Sequence, residues 1–379
     1  MIMKELGRSG ILVGAVGQGT AYPKKKLLSS SRELIRILEA GIDYGMALID
    51  TAEVYGDGLA EELISEVIKG RRSKVIIATK FLPEHSSSSG VIYALENSLK
   101  RLGTDYVDLY QFHWPNPEIP LAETAVALEQ CVRAGKARFI GASNFSRREL
   151  EAFDGLSKEI RLVSLQTEYN VLERSPEYDG TLDYCIRKQT SILAYSPLDQ
   201  GRIGDLNNAE RIILEQVAEK YAKTIAQIIL RWLISRRPVI AIPMTADIGH
   251  VNENAESMRF DLSLEDIQTI DRIFDTPINF IPVEQIRVSL KGERGHKVYQ
   301  TLAEAIANRM GFVPSPATLA EAIKHDLRIK PVRLAPVKDR SGDFLYDLIN
   351  GRIRFWAWVI AHGNQHPIPA YVRDHRGGE

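Results

Sequence analysis

The chain has 379 residues, a formal net charge of −1 and a hydrophobic fraction of 44%. This length suits one large or two medium domains with a sizeable core. The balanced charge argues against a general attraction to nucleic acid or to acidic membranes. No apolar run reaches the roughly 18 residues of a membrane span, and the amino terminus lacks a signal-peptide pattern. We therefore expect a cytoplasmic protein.

Short apolar runs alternate with amphipathic stretches over most of the chain. The predicted strands are, in order, ILVGAVGQGT, ALIDTA, KVIIATK, DYVDLYQFH, ARFIGASN, RLVSLQTEYN, SILAYSPL and VIAIPMT. Helical patterns separate them, and the longest is one continuous helical stretch, NNAERIILEQVAEKYAKTIAQIILRWLISR. Such alternation predicts a parallel sheet covered by helices. Eight units over about 275 residues fit an α/β fold, a closed (β/α)8 TIM barrel, and an open doubly wound sheet is the alternative.

The pattern changes after Phe274. The segment from 280 to 379 shows short strands, two helical stretches (KVYQTLAEAIANRM and SPATLAEAIKHDL) and the basic, aromatic run NGRIRFWAWVIAHG. This predicts a smaller α+β domain. The proline-bounded TPINFIP indicates a short junction. We predict a barrel over residues 1–278 and a second domain over residues 279–379.

The cysteines and the histidine pair near the carboxy terminus give no sign of a metal site. Cys131 and Cys185 have neither a CxxC spacing nor a histidine neighbour, which favours buried or free thiols in a reducing compartment. His362 and His366 are four residues apart, but the glycine and asparagine between them favour a loop. We predict no bound metal.

Four polar residues follow successive predicted strands: Asp50, Tyr55, Lys80 and His113. In a barrel the carboxyl ends of the strands converge on one mouth. A phenol is a weak acid at neutral pH, but a neighbouring ammonium stabilises the phenolate and lowers its pKa. With a carboxylate to hold the lysine and a histidine to bind an oxygen, the set could protonate a carbonyl oxygen while a hydride reaches the carbon.

Each of these residues alone also has a structural interpretation. Asp50 could cap a turn, Tyr55 could pack in a loop, Lys80 could be a solvated strand end, and His113 could be a satisfied buried histidine. The occurrence of all four at successive strand ends is what favours chemistry.

The same residues lie in motifs that resemble the aldo-keto reductase family over residues 3 to about 275. DTAEVYG resembles its Asp-Thr-Ala-x-x-Tyr-Gly signature, and ATKF and LGTDYVDLYQFHWPNP resemble its lysine and histidine strands. GKARFIGASNFS, QTEYN, LAYSPL and VIAIPMT follow in the family's order. The resemblance implies a reductase with Tyr55 as general acid, Lys80 lowering its pKa, Asp50 holding Lys80, and His113 orienting the carbonyl.

The resemblance also implies a nicotinamide cofactor, NADPH or NADH, bound across the barrel mouth without a Rossmann fingerprint. The implied contacts run from the nicotinamide through the pyrophosphate to the adenosine: Gly19, Thr20, Asp50, Ser143, Asn144, Gln166, Tyr195, Ser196, Pro197, Leu198, Gln200, Gly201, Met244, Thr245, His250, Glu253 and Asn254.

Two of these positions depart from the family pattern for NADPH. Many members carry lysine and arginine where this chain has Met244 and His250. Methionine has no charge to pair with a 2′-phosphate, and histidine has a partial one near neutrality. We predict NADPH as cofactor, with NADH as the alternative.

The last hundred residues resemble the ParB/sulfiredoxin superfamily over about 281–374. Gly351, Arg354 and Ala357 match its Gly-x-x-Arg-x-x-Ala motif, with IPAYV after the helix. In that superfamily the loop and helix start bind a nucleotide phosphate, which backbone amides and an arginine suit. Arg352 replaces a common acidic residue, no cysteine lies in the loop, and no helix-turn-helix follows. Sulfiredoxin chemistry and sequence-specific DNA binding are therefore not expected.

The sequence leaves several functions open. The leading one is a reductase for a small aldehyde, ketone or sugar carbonyl. A cofactor-sensing regulator is a second, although a sensor does not need Tyr55 and Lys80 together. A third is a bifunctional protein whose second domain phosphorylates a small molecule with Glu293. A second domain that kept its fold for docking and lost its ligand is also open.

Overall fold

The computed structural model describes residues 1–156, 159–201, 206–288, 299–324, 329–337 and 344–373. The chain forms two compact units. The first comprises Met1–Ile203 and Ile212–Arg272, and the second comprises Gly204–Arg211 and Ile273–Glu379. No helix in the described ranges is long and apolar enough to cross a membrane.

The first unit opens with a hairpin of β1 (Met3–Glu5) and β2 (Leu12–Gly14), which pair antiparallel. The prediction of one strand over ILVGAVGQGT was therefore wrong, because its first half pairs with β1. Only the second half reaches the barrel. Lys4 Nζ fixes the hairpin by donating to the carbonyl oxygens of Ile234, Arg236 and Val239 at 2.6–2.7 Å.

Eight parallel strands form the barrel, as predicted. They are β3 (Gln18–Gly19), β4 (Leu48–Asp50), β5 (Ile76–Phe81), β6 (Val107–Phe112), β7 (Ala137–Ser143), β8 (Leu162–Glu168), β9 (Ser191–Tyr195) and β10 (Val239–Ile242). Neighbours in sequence are neighbours in the sheet. Ala241 closes the ring, because its carbonyl accepts from Gly17 N at 2.8 Å and its N–H donates to Ala15 O at 3.0 Å. The open-sheet alternative was wrong.

The barrel interior changes from apolar to polar toward its carboxyl end. A fully buried apolar layer consists of Leu48, Ala78, Leu109, Leu193 and Ile240. Side chains two residues apart on a strand share a face. The residues two positions further along three of these strands are Asp50, Lys80 and Gln111. The strand period thus places polar groups directly above an apolar floor.

Twelve described helices belong to or border the first unit. They are α1 (Lys24–Ser29), α2 (Ser31–Asp43), α3 (Leu59–Val67), α4 (Ser88–Leu102), α5 (Leu121–Arg133), α6 (Arg147–Asp154), α7 (Ser175–Tyr178), α8 (Thr181–Lys188), α9 (Asn208–Tyr221), α10 (Ile225–Ser235), α11 (Ile248–Glu256) and α12 (Leu264–Ile273). Both cysteines are buried and unpaired, as predicted.

The predicted single helix before β10 is two helices, α9 and α10. The chain leaves helical geometry at Ala222, whose φ is 51°. Thr224 then caps α10, accepting from Gln227 N while Gln227 bonds back to the Thr224 N–H. The TIAQ capping box was the overlooked sequence signal.

The second unit is built on a mixed five-stranded sheet in the order β11, β15, β13, β14, β12. Its strands are β11 (Ile278–Ile281), β12 (Ile286–Val288), β13 (Val332–Pro336), β14 (Tyr346–Asn350) and β15 (Ile368–Val372), and its helices are α13 (Leu302–Ile306), α14 (Pro316–Lys324) and α15 (Arg352–His362). Tyr299, Leu334, Leu348, Phe355 and Ile368 are buried in one core.

Two predictions for this region were wrong. TPINFIP is not only a junction, because Ile278–Ile281 pairs antiparallel with β15 at the sheet edge. The first predicted helix is short, because Thr301 caps α13 through Glu304 N and the helix ends at Ile306. Trp356 is buried in the core and Trp358 packs against it.

Candidate active site

Lys80 is the centre of the site. Its side chain is fully buried on β5. Nζ donates to Asp50 Oδ2 at 2.9 Å, to the Thr51 carbonyl at 2.8 Å and to the Tyr55 hydroxyl at 3.2 Å. Burial lowers the pKa of Lys80, but the charge of Asp50 and the Tyr55 oxygen outweigh it and hold the pKa above its usual value. Lys80 is therefore an ammonium with all three protons engaged.

Asp50 is held from both sides. One carboxylate oxygen accepts from Lys80, and the other accepts from Gln166 Nε2 at 2.6 Å. Gln166 lies on β8, across the barrel from β4. The contact with Gln166 fixes the carboxylate, and through it the ammonium.

Tyr55 reaches Lys80 because the chain turns sharply after β4. The turn Tyr55–Gly58 contains three residues with positive φ: Gly56 at 60°, Asp57 at 58° and Gly58 at 91°. Glycine tolerates this geometry, so the YGDG sequence permits the turn. The Tyr55 N–H donates to the Ala52 carbonyl at 3.0 Å, and its ring is half-buried.

His113 follows β6 and faces Tyr55. Its N–H donates to the Phe81 carbonyl at 3.0 Å, and its carbonyl accepts from Asn144 Nδ2 at 3.1 Å. Its ring meets the Tyr55 ring edge to face, with centroids 5.7 Å apart. Burial and the Lys80 charge lower the pKa of His113 to about 3. The imidazole is therefore neutral, with one nitrogen able to donate a hydrogen bond.

The four predicted tetrad residues thus lie together at the carboxyl end of the barrel. Two hydrogen-bond donors of the tetrad face each other: a phenol next to an ammonium and a neutral imidazole. Such groups can bind one oxygen atom and deliver a proton to it.

Six predicted cofactor residues adjoin this tetrad: Gly19, Thr20, Ser143, Asn144, Gln166 and Tyr195. Gly19 pairs with Asp50 in register, and Thr20 donates to the Asp50 carbonyl from its N–H and its hydroxyl. Asn144 binds Ser143 and accepts from the Tyr195 hydroxyl at 3.0 Å. Gln166 gives its amide hydrogen to Asp50, which leaves its carbonyl oxygen as the acceptor that a carboxamide requires.

The predicted pyrophosphate segment has unusual backbone geometry. Ser196 (φ 48°), Asp199 (44°), Gln200 (60°) and Gly201 (86°) are all left-handed, and Pro197 and Leu198 lie between them. The Ser196 carbonyl accepts from Asn170 Nδ2 at 3.0 Å. Turns with left-handed residues direct backbone N–H groups to one side and suit anions.

The predicted adenosine residues follow β10 and lie on α11. Met244 and His250 are exposed, and Asn254 is buried. The Thr245 hydroxyl lies 3.4 Å from His250 Nδ1, and the Glu253 carbonyl accepts from Gln227 Nε2. Met244 also adjoins the nicotinamide group of residues, because a Cβ on Gly19 would lie 3.5 Å from Met244 Cβ.

The motif residues of the second unit lie where β14 meets α15. Gly351 has φ 97° and precedes the first turn of α15. The Arg354 guanidinium donates to the carbonyls of Lys330 and Pro331, both at 2.9 Å. Glu293 lies outside the described residues. Within those residues, no group of three or more His, Cys, Asp or Glu could hold a metal.

Three residues that support the site near the barrel mouth were not identified from the sequence. Trp114 is stacked on His113, with ring planes 14° apart. The Tyr22 hydroxyl donates to the Thr245 carbonyl at 2.8 Å, and Asn170 holds Ser196. Trp114 and Asn170 adjoin motifs that the sequence did single out, but Tyr22 carries no such signal.

Known proteins resemble the part of the chain that contains this site. A family model described as "Aldo/keto reductase family" matches residues 15–275. The chain is 37% identical over 266 residues to the methylglyoxal reductase YeaE of Escherichia coli K12, covering 69% of this chain and 92% of the relative. A solved thermostable aldo-keto reductase with the inhibitor epalrestat is 41% identical, with a TM-score of 0.68, 72% of this chain covered and all of the other.

A second solved structure contains a cofactor. It is an aldo-keto reductase from Klebsiella pneumoniae in complex with NADPH, 35% identical with a TM-score of 0.68, covering 73% of this chain and 97% of that one. The matched residues 15–275 contain all eight barrel strands and the four tetrad residues. The chain belongs to the aldo/keto reductase family of enzymes.

Proposed function

We propose that the barrel reduces a small aldehyde or ketone to an alcohol, with NADPH as hydride source and Tyr55 as general acid. The observation that carries the proposal is the Lys80 ammonium, buried between Asp50 and Tyr55. A buried ammonium beside a phenol favours the phenolate that proton donation leaves behind. A lysine present only for structure would not need to bind the Tyr55 hydroxyl.

Each of the four tetrad residues has a separate role in the proposed reaction. Tyr55 gives its hydroxyl proton to the carbonyl oxygen, and Lys80 stabilises the resulting phenolate. Asp50, held by Gln166, keeps Lys80 charged and oriented. The neutral His113 donates a hydrogen bond to the same carbonyl oxygen. When bound, the nicotinamide supplies a hydride to the carbonyl carbon.

The residues present fit a nicotinamide cofactor. Asn144, Gln166 and Tyr195 provide amide and hydroxyl groups beside the tetrad. Four left-handed residues of the following segment provide backbone suited to a pyrophosphate: Ser196, Asp199, Gln200 and Gly201. NADPH is further supported by the cofactor found in the Klebsiella pneumoniae relative. The name of the Escherichia coli relative supports a small 2-oxoaldehyde among the substrates. The reaction belongs in the cytoplasm, where we expect the chain.

The preference between NADPH and NADH depends on Met244 and His250. Neither supplies the fixed positive charge that a 2′-phosphate favours. We expect Met244→Lys combined with His250→Arg to tighten NADPH binding at least tenfold, since a hydrogen bond to a charged group contributes about 1.5–3 kcal/mol. NADH, which lacks the phosphate, is the internal control. Equal changes for both cofactors would contradict this assignment.

The test of the main proposal combines cofactor binding with turnover. NADPH and NADH are titrated by protein fluorescence, and a carbonyl panel that includes methylglyoxal is followed by cofactor absorbance. Tyr55→Phe should bind cofactor as the wild type does and lose turnover by at least 100-fold. Turnover that survives in Tyr55→Phe would remove Tyr55 as the acid. Cofactor binding without turnover on any carbonyl would favour the regulatory alternative.

For the second unit we propose a ParB/sulfiredoxin-like domain, over about residues 279–379, that binds a nucleotide phosphate. The left-handed Gly351 at the start of the eleven-residue helix α15 supports this, because helix amino termini attract anions. ADP titration of the full chain, saturated with NADPH, tests it. Binding that is lost in Arg354→Ala and kept in the exposed-site control Arg309→Ala supports a nucleotide site. Absence of binding favours a docking domain.

A further inference from the structure

The turn that carries Tyr55 needs support from outside itself. Its last three residues all have positive φ, and two of them are the glycines Gly56 and Gly58. Glycine adopts left-handed and right-handed backbone about equally well, so neighbouring groups must select the observed conformation. The Tyr55 hydroxyl lies 3.2 Å from Lys80 Nζ, near the upper limit for a hydrogen bond. A small rotation of the turn would therefore separate the phenol from the ammonium.

Helix α1 packs against the middle of this turn. A Cβ on Gly56 would be 2.3 Å from Leu27 Cδ1, so the Leu27 methyl group occupies the space that a side chain at position 56 would take. Leu27 is buried, with 3% of its surface exposed. A methyl group packed this closely against the Gly56 backbone hinders rotation of the peptide groups on either side.

The end of the turn has a separate support. A Cβ on Gly58 would be 2.6 Å from Arg101 Cδ, so the Arg101 side chain lies against the last residue of the turn. Asp57 also binds Lys24 of α1 at 2.8 Å, but both side chains are more than half exposed, and such surface pairs contribute little. Arg101 thus holds the end of the turn, and Leu27 holds its middle.

The position of α1 is itself fixed. A helix of six residues is too short to be stable alone. The preceding Tyr22 is buried, and its hydroxyl donates to the Thr245 carbonyl at 2.8 Å. The Leu27 N–H donates to the Pro23 carbonyl at 3.1 Å. Leu27 therefore presents a fixed surface to the turn.

We propose that Leu27 is a positioning residue for Tyr55 and acts through its contact with Gly56. It keeps the turn in the conformation that holds the Tyr55 hydroxyl beside Lys80. Only the effect on the rate rests on the proposed reduction, because the distance between the hydroxyl and the ammonium is a property of the resting protein.

Carbon-13 spectra of the full-length protein, labelled at tyrosine Cζ, follow the ionisation of Tyr55 without any substrate. Tyr55→Phe identifies the signal. Lys80 and the His113 ring face this residue. We expect Leu27→Ala to move the Tyr55 titration midpoint to higher pH by about one pH unit, because the ammonium no longer stabilises the phenolate as well. Leu28→Ala, the same change at the exposed neighbour on α1, should keep the wild-type midpoint.

A double-mutant cycle with Gly56 tests the contact itself. Gly56→Ala places a methyl group where Leu27 Cδ1 lies and should lower kcat about tenfold, with the KM for NADPH unchanged. In Leu27→Ala that space is empty, so adding Gly56→Ala should cost much less. The left-handed φ of residue 56 strains alanine in both backgrounds, so this cost cancels. Non-additive effects then measure direct coupling between the two positions.

Two results would overturn the proposal. One is an unchanged Tyr55 titration midpoint in Leu27→Ala, and the other is a purely additive cycle. If Leu27→Ala folds poorly, Leu27→Val shortens the same side chain with a smaller loss of volume and takes its place in both tests. Failure of the reductase proposal would instead appear as absent turnover in the wild type, with the Tyr55 midpoint still moved by the change at Leu27.

Discussion

At the scale of single residues, the site depends on a buried charge pair. Lys80 and Asp50 are both buried. A buried ion pair adds little net stability to a protein, but loss of one partner destabilises the protein strongly. The pair is therefore explained better by the role proposed for the ammonium beside Tyr55 than by folding. Stability and activity should respond differently to changes in the pair.

The first prediction separates these two effects. Lys80→Met leaves the Asp50 carboxylate buried without its cation and should lower the free energy of unfolding by about 3 kcal/mol. Asp50→Asn combined with Lys80→Met removes both charges and should recover much of that loss. Urea denaturation measures the stability. Activity should stay at least 100-fold down in both variants, and recovered activity in the double variant would contradict the role given to Lys80.

The second prediction concerns acid stability. The pKa of His113 is about 3 in the folded protein and about 6.5 in an unfolded chain. Above pH 6.5 both states are neutral, so this contribution is fully present. As the pH falls from 6.5 toward 3, only the unfolded state takes up the proton and the contribution is lost, by about 2 kcal/mol at pH 5.

His113→Gln should therefore lose less stability than the wild type between pH 7 and pH 5. Denaturation at several pH values gives the difference. The exposed His250→Gln should keep the wild-type pH dependence. Identical slopes for His113→Gln and the wild type would show that His113 titrates normally when folded.

At the scale of elements, short local signals decide where helices begin and end. The sequence around residue 222 satisfies the periodicity of one long helix, yet Ala222 is left-handed and Thr224 begins a new helix. The apolar pattern continues across the break because both helices turn apolar faces to the core. Periodicity therefore gave the right helical content and missed the boundary, whereas the capping box marked it.

The third prediction tests this break. Ala222→Gly should raise the free energy of unfolding by up to about 1 kcal/mol, because glycine adopts a left-handed φ without strain. Thr224→Ala should lower it by about 1 kcal/mol through loss of the cap. In a continuous helix, Ala222→Gly would be destabilising by a similar amount. The sign of that one change, measured by thermal or urea denaturation, distinguishes the two structures.

At the scale of the whole molecule, the chain combines a family barrel with a second unit of different architecture. Arg373 ties distant segments of that second unit together. It binds Glu210, at 2.8 Å, and also the Phe274 carbonyl and the Thr276 hydroxyl. The segment around Glu210 begins α9, so the second unit draws on chain from within the sequence of the barrel.

The fourth prediction follows from that contact. Arg373→Met leaves the largely buried Glu210 carboxylate without its cation and should destabilise the second unit by about 3 kcal/mol. Adding Glu210→Gln should restore part of the loss. Hydrogen–deuterium exchange should increase around residues 207–211, 274–276 and β15. Exchange that rises equally throughout the barrel would show that Arg373 does not act locally.

The sequence by itself determined the barrel and the polar residues at its mouth. Eight apolar strands that alternate with amphipathic helices predict a parallel sheet. Strand and helix periodicity are local properties, so they can be recognised directly in the sequence. Asp50, Tyr55, Lys80 and His113 were identified in this way. What only the tertiary structure decided are contacts between residues far apart in sequence: Gln166 on Asp50, Lys4 on three carbonyls, Leu27 on Gly56, and the strand at Ile278–Ile281. These depend on strand register and close packing, which no local pattern encodes.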